Sequence, residues 1–118
     1  MAKYLIKTDY KTKGTRGLMK EGASARRAVV KQLLEGLGGK LESFYFAWGD
    51  TDAFIICDLP DASAALALSL VVNASGAVNI STTPLFTPEE IDTAARKAPS
   101  YRAPGEEAPA KSAAKGKK

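Results

Sequence analysis

Residues 40–59, KLESFYFAWGDTDAFIICDL, constrain this chain more than any other stretch. Two apolar, aromatic-rich runs flank a short polar turn, Gly49-Asp50-Thr51-Asp52, the pattern of a β-hairpin. Strict alternation along the first run sets Glu42, Phe44, Phe46 and Trp48 on one face and Leu41, Ser43, Tyr45 and Ala47 on the other. The second run sets Phe54, Ile56 and Asp58 against Ala53, Ile55, Cys57 and Leu59. Neither face of this ribbon is polar, so both need cover.

The flanking sequence supplies cover for one face. Residues 3–10 read as a first strand and residues 11–17 as a polar connection. A helical pattern then runs over 18–37, with Leu18, Gly22, Ala25, Val29, Leu33 and Leu37 recurring at three and four residues. Gly22 marks a point of interruption, with Ser24 as a second cap, and Gly38-Gly39 ends the helix. After the hairpin, Leu59-Pro60 stops the strand and Asp61 caps a helix over 62–73. That helix is apolar nearly all round and rich in small residues, which predicts cover on more than one side. Residues 77–86 form a fourth strand with Val78 and Ile80 inward, and Thr87-Pro88-Glu89-Glu90 starts a last helix over 88–98.

The resulting order, β-α-β-β-α-β plus a terminal helix, predicts an α+β, ferredoxin-like sandwich: a four-stranded antiparallel sheet with two helices on one face, spanning residues 1–98. Two helices shelter only one face. The other would expose a larger apolar patch than soluble monomers usually tolerate, which predicts a homodimer, or a higher homo-oligomer, through that face.

Composition narrows the chemistry. The chain has no histidine and one cysteine, Cys57. That removes the commonest general base, the Ser-His and Cys-His pairings and the usual transition-metal ligand sets, so neither a metal nor a cofactor is expected. Residues 1–98 hold twelve Lys and Arg against eleven Asp and Glu, whereas residues 99–118 hold five against two. Basicity therefore belongs to the Pro/Ala/Lys-rich tail, which reads as disordered and solubilising. Nucleic acid is a disfavoured partner, with only this tail as its support. No secretory signal is evident, and the long apolar stretch at 62–72 is too short to span a bilayer, so no membrane association and a cytoplasmic location are expected.

One residue breaks the helical pattern. Stepping 100° per residue, Arg26 lands on the apolar stripe while Arg27 turns outward. A core-facing guanidinium needs a carboxylate partner, an escape route for its head group, or an anion. Asp52 at the hairpin turn is one candidate partner, and a structural Arg26–Asp52 pair is the preferred reading. The alternative is a cleft in which Arg26 faces an aromatic wall of Trp48 and Tyr45, next to Gly49 of the turn, and receives a small molecule.

Several segments together, SARRAVVKQLLEGLGGKLESFYFAWGDTD, FIICDLPD, ASGAV and TTPLFTPEEID, resemble the GYD domain family of small prokaryotic proteins over residues 3 to 95. The resemblance implies a ferredoxin-like fold of the dimeric α/β-barrel kind, and implies little chemistry. The family's naming signature, a glycine followed closely by Tyr-Asp, stands here as Gly49-Asp50-Thr51-Asp52, with Thr51 where the tyrosine is expected. Three functional classes follow. The first is a dimeric binding or assembly module holding a small apolar or anionic ligand between the first helix and the hairpin. The second is a cofactor-independent enzyme whose acid-base work would fall to Asp52, Tyr45 or Glu42, and the third is weak nucleic-acid contact through the tail. The first is preferred.

Overall fold

The computed structural model describes residues 1–107. Part of the expected tail, residues 108–118, lies outside the described residues. The chain divides into two units, the first covering Met1–Leu85 and the second starting at Phe86.

The first unit contains β1 (Ala2–Tyr10), α1 (Thr12–Glu21), α2 (Ala23–Gly36), β2 (Lys40–Phe46), β3 (Ala53–Leu59), α3 (Ala62–Ala74) and β4 (Val78–Leu85). The strands form one antiparallel sheet in the order β2-β3-β1-β4, the topology of a split βαβ unit. The expected α+β, ferredoxin-like architecture is the observed one.

Two local expectations change. The connection at 11–17 is helical from Thr12 onward, and the expected interruption at Gly22 separates α1 from α2 with Gly22 itself as the N-cap, so Ser24 lies inside α2 and does not cap it. Gly22 makes the break: its φ of 95° and ψ of 153° suit glycine alone, its N–H donates to the Leu18 carbonyl, and its own carbonyl accepts from Arg26 N. Lys11, the N-cap residue of α1, donates its N–H to Ala77 O at 3.0 Å, which ties the start of the helix to the α3–β4 connection. A Cβ at Gly14 would overlap that same Ala77 carbonyl, so the close approach requires glycine there.

The second change is in β2. Its register against β3 shifts between Leu41 and Ser43, leaving Glu42 as the extra residue of a bulge. Strict alternation fails at that point. Leu41 pairs with Cys57 and Phe44 with Ile55, so Leu41 shares the helix-facing side with Phe44 and Phe46. Ser43 and Tyr45 take the outer side, opposite Ile56 and Phe54.

The core lies between the sheet and α2 and α3. Tyr4, Ile6, Ile55, Cys57 and Leu59 come from the central strands, Leu34 from α2, and Ala64, Ala65 and Leu68 from α3. Against expectation, α3 is covered on one side only: Leu66, Leu70 and Val71 are exposed. Leu66 and Leu70 lie on the opposite side of the helix from the buried Leu68, and a single layer of helices leaves that side open. Helix α2 sits over β2 and α3 over β4, with a gap between them above the central strands.

Polar links finish the unit. Asp61 caps α3 by accepting from Ala64 N at 2.9 Å, as its position before the helix predicts. Asn73 near the end of α3 grips β4 twice: its Oδ1 accepts from Ile80 N at 2.7 Å and its Nδ2 donates to Ile80 O at 3.3 Å. An edge strand would otherwise leave both groups open to another strand. In the second unit, α4 (Pro88–Arg96) starts with a capping box: Thr87 Oγ1 accepts from Glu90 N while Glu90 Oε1 accepts from Thr87 N.

Candidate functional site

The gap between α2 and α3 is a cavity of about 40 Å³. Sheet alternation builds its floor, with Ile6 and Thr8 of β1 and Ile55 of β3. Val30 and Leu33 of α2 form one wall, and Leu68 and Val72 of α3 the other. At one end, Tyr10 and Arg26 are half-buried and bring polar groups to the edge of an apolar space. The Tyr10 ring stands 6.3 Å from Phe46, which in turn lies 5.0 Å from the cavity-lining Phe44.

Thr8 is the anomalous residue. It is only 5% exposed, lines the cavity, and its Oγ1 has no hydrogen-bond partner. Its backbone is fully engaged by contrast, since Thr8 O accepts from Asp52 N at 2.9 Å. A buried hydroxyl without a partner costs about 1–3 kcal/mol, so groups of this kind are few in native proteins.

Arg26 occupies the inner stripe of α2 with Val30, Leu33, Leu34 and Leu37, and its guanidinium reaches the cavity. Among the described residues its ion pair is with Glu21, Nη1 to Oε2 at 3.4 Å, a long contact between partly exposed groups. No ion pair joins Arg26 to Asp52. The Asp52 carboxylate instead accepts from Tyr10 N at 2.8 Å. Regular pairing of β1 with β3 ends at Thr8 and Ala53, and the chain then turns away. The next β1 donor therefore finds a side-chain acceptor in place of a backbone carbonyl, and Asp52 fastens the hairpin to β1.

The remaining sequence candidates stand apart from the cavity. Tyr45 is 71% exposed on the outer face of the sheet, and Trp48 is 59% exposed at the hairpin turn. Trp48 has φ of 51°, a left-handed conformation rarely adopted by a bulky residue. Gly49 is exposed and has open space where a Cβ would project. Thus Arg26 reaches the cavity, Asp52 fixes its rim through Tyr10, and the aromatic wall is Tyr10 with Phe44, in place of Trp48 and Tyr45. Thr8, Tyr10 and Glu21 are the residues that sequence reasoning missed. The signal for Thr8 and Tyr10 was available: they continue the period-2 series Tyr4, Ile6 on the core-facing side of β1.

Electrostatics bear on what the site can do. Burial raises the Tyr10 phenol above its usual value, opposed first by the Arg26 charge and reinforced by the weaker influences of Glu21 and Asp52. Tyr10 is a neutral hydroxyl, as tyrosines ordinarily are near pH 7, and is able to donate. Cys57 is fully buried, and burial pushes its thiol up to about 11, assisted by Asp58. A neutral, inaccessible thiol is not a nucleophile. Among the described residues no group of three or more Cys, Asp or Glu is arranged to hold a metal ion, and no helix is long and apolar enough to cross a membrane.

On the outer face, Lys3 donates to both Glu42 and Asp58, the latter at 3.1 Å. Its hydrogen bonds to these carboxylates, to Glu42 first, raise the Lys3 pKa. The bulge brings Glu42 into this contact. Beyond it, Leu5 and Ile56 adjoin the cross-strand pair Tyr45 and Phe54.

No curated protein and no solved structure matches the chain. The sequence model of the GYD domain matches residues 4–95, which includes every strand residue that lines the cavity and both helices above it. The chain belongs to the GYD domain family.

Proposed function

We propose that this GYD domain is a binding module that takes a small organic molecule into the cavity between the sheet and helices α2 and α3, and that two copies assemble through the outer face of the sheet. One observation carries the ligand reading: a cavity walled by Ile6, Val30, Leu33, Ile55, Leu68 and Val72 has Tyr10 and Arg26 at one end. Small-molecule sites combine such apolar walls with a few convergent polar groups. Here those groups belong to Tyr10 and Arg26, with Thr8 in the floor.

The assembly reading is supported by the sheet's sidedness. Leu5, Tyr45, Phe54 and Ile56 share the outer face, with Lys3, Glu42 and Asp58 beside them. Charges of both signs in one patch can pair with their own counterparts across a twofold axis. Edge pairing is the less favoured route, because Asn73 occupies Ile80 on the β4 edge and Pro84 removes a donor from the same strand.

Thermal unfolding of the full chain against a panel of small organic acids, alcohols and aromatics tests the ligand reading. A ligand at a hundred times its Kd stabilises by about 2.7 kcal/mol, a readily measured rise in Tm. The expected result is a saturating, concentration-dependent rise with at least one compound class. A flat response across the panel would remove this reading.

A further inference from the structure

We infer that the occupant is a short-chain carboxylate, its head group held by Arg26 and Tyr10 and its alkyl body lying over Ile6, Ile55 and Leu68. This rests on the reading of the cavity as a ligand site and names the chemical class that the site takes.

Size sets the first limit. A water takes up about 10–15 Å³ of such a cavity, so 40 Å³ holds roughly three. An alkyl body of a few carbons fits, and a long acyl chain or fused ring system does not. The walls set the second limit. Ile6, Ile55 and Leu68 are each no more than 5% exposed, so the inner part of the occupant must be apolar.

Charge and hydrogen bonding select the head group. The Tyr10 phenol is neutral, as tyrosines ordinarily are near pH 7, and can donate. Arg26 supplies fixed donors in a planar fork that matches a carboxylate. Its present contact with Glu21, at 3.4 Å, is a long one that a better placed anion can replace. Two carboxylates, Glu21 and Asp52, also influence this end of the cavity, yet Arg26 is the charge that Tyr10 feels most strongly. Asp52 is moreover committed to Tyr10 N. A lone arginine beside one competing carboxylate suits a singly charged anion. A phosphate carries more charge and calls for more donors than this end of the cavity has.

Glu21 gives the inference a directional test. If Glu21 occupies the place of the ligand's head group on Arg26, then Glu21→Gln frees the guanidinium and tightens binding. The experiment follows the amide resonances of the isotopically labelled full chain during titration with butyrate, 1-butanol and butylammonium, followed by the straight-chain acids from acetate to octanoate. Saturable shifts at Thr8, Arg26, Phe44 and Leu68 are expected with butyrate, at least tenfold weaker with butanol and undetected with butylammonium. Affinity should peak at three to five carbons. Arg26→Gln and Tyr10→Phe should each weaken butyrate binding about tenfold, and Glu21→Gln should strengthen it about threefold, with circular dichroism confirming that each variant folds.

Equal binding of butanol and butyrate, or an Arg26→Gln variant that binds butyrate unchanged, would overturn the carboxylate assignment while leaving the cavity a ligand site. Absence of saturable shifts with every probe would overturn the assignment and count against the cavity reading as well. An affinity that climbs steadily to octanoate would overturn the size limit, and with it the short-chain class.

Discussion

At the scale of single residues, the cavity floor holds a threonine that makes no side-chain hydrogen bond. Thr8 Oγ1 is desolvated without compensation, so exchanging it for a methyl group of the same shape should stabilise the ligand-free protein. Thr8→Val is expected to gain about 1 kcal/mol and raise Tm by roughly 4–8 °C for a domain of this size, measured by thermal unfolding in ligand-free buffer. A loss of stability would mean that the hydroxyl has a partner in solution. Arg26 shows how far a single residue is readable in advance. Helical stepping finds it on the inner stripe, because direction around a helix follows from sequence spacing alone. Its partner does not follow, because Asp52 and Glu21 are both within reach in principle and the choice depends on how the hairpin turn is held.

At the scale of elements, that hold is made by Asp52, which bonds β1 twice: its N–H to Thr8 O at 2.9 Å and its carboxylate to Tyr10 N at 2.8 Å. Asp52→Ala leaves the Tyr10 donor without an acceptor and is expected to cost about 1–2 kcal/mol, whereas Asp52→Asn keeps an acceptor oxygen and should cost well under 1 kcal/mol. Chemical denaturation of both variants checks the difference, and equal losses would show that charge rather than the hydrogen bond matters. Strand β3 was legible to the residue, since Ala53 to Leu59 alternates cleanly between turn signals. The face assignment of β2 was legible only beyond its bulge, because an extra residue leaves no mark in an apolar-polar pattern. The start of α1 was hidden for another reason: Lys11–Gly17 is polar and glycine-containing, and the Ala77 carbonyl that holds its N-cap residue is distant in sequence. Likewise α3 looked hydrophobic enough to be enclosed, but its sequence does not say that a single layer of helices leaves one side open, nor how far apart the two helices stand. The cavity is a product of that separation.

At the scale of the whole molecule, the sidedness of the sheet leads to a test of assembly. The outer face combines Leu5, Tyr45, Phe54 and Ile56 with a charged group of both signs, and Phe54, at 38% exposure, lies among them. Sedimentation equilibrium of the full chain at micromolar concentration is expected to give a dimer, and Phe54→Arg, which sets like charges against each other across the twofold axis, is expected to give a monomer with Tm lowered. A wild-type chain that sediments as a stable monomer would remove the dimer. The bulge also bears on how chains of this kind can vary in length. Leu41 and Ser43 already pair with Cys57 and Ile56, which are consecutive, so excising Glu42 would close the ladder without turning any neighbour inside out. Removing a residue from an unbroken stretch of β2 would invert everything on one side of the cut. A one-codon deletion in the sheet is thus survivable at position 42, and what it forfeits is the anchor for Lys3.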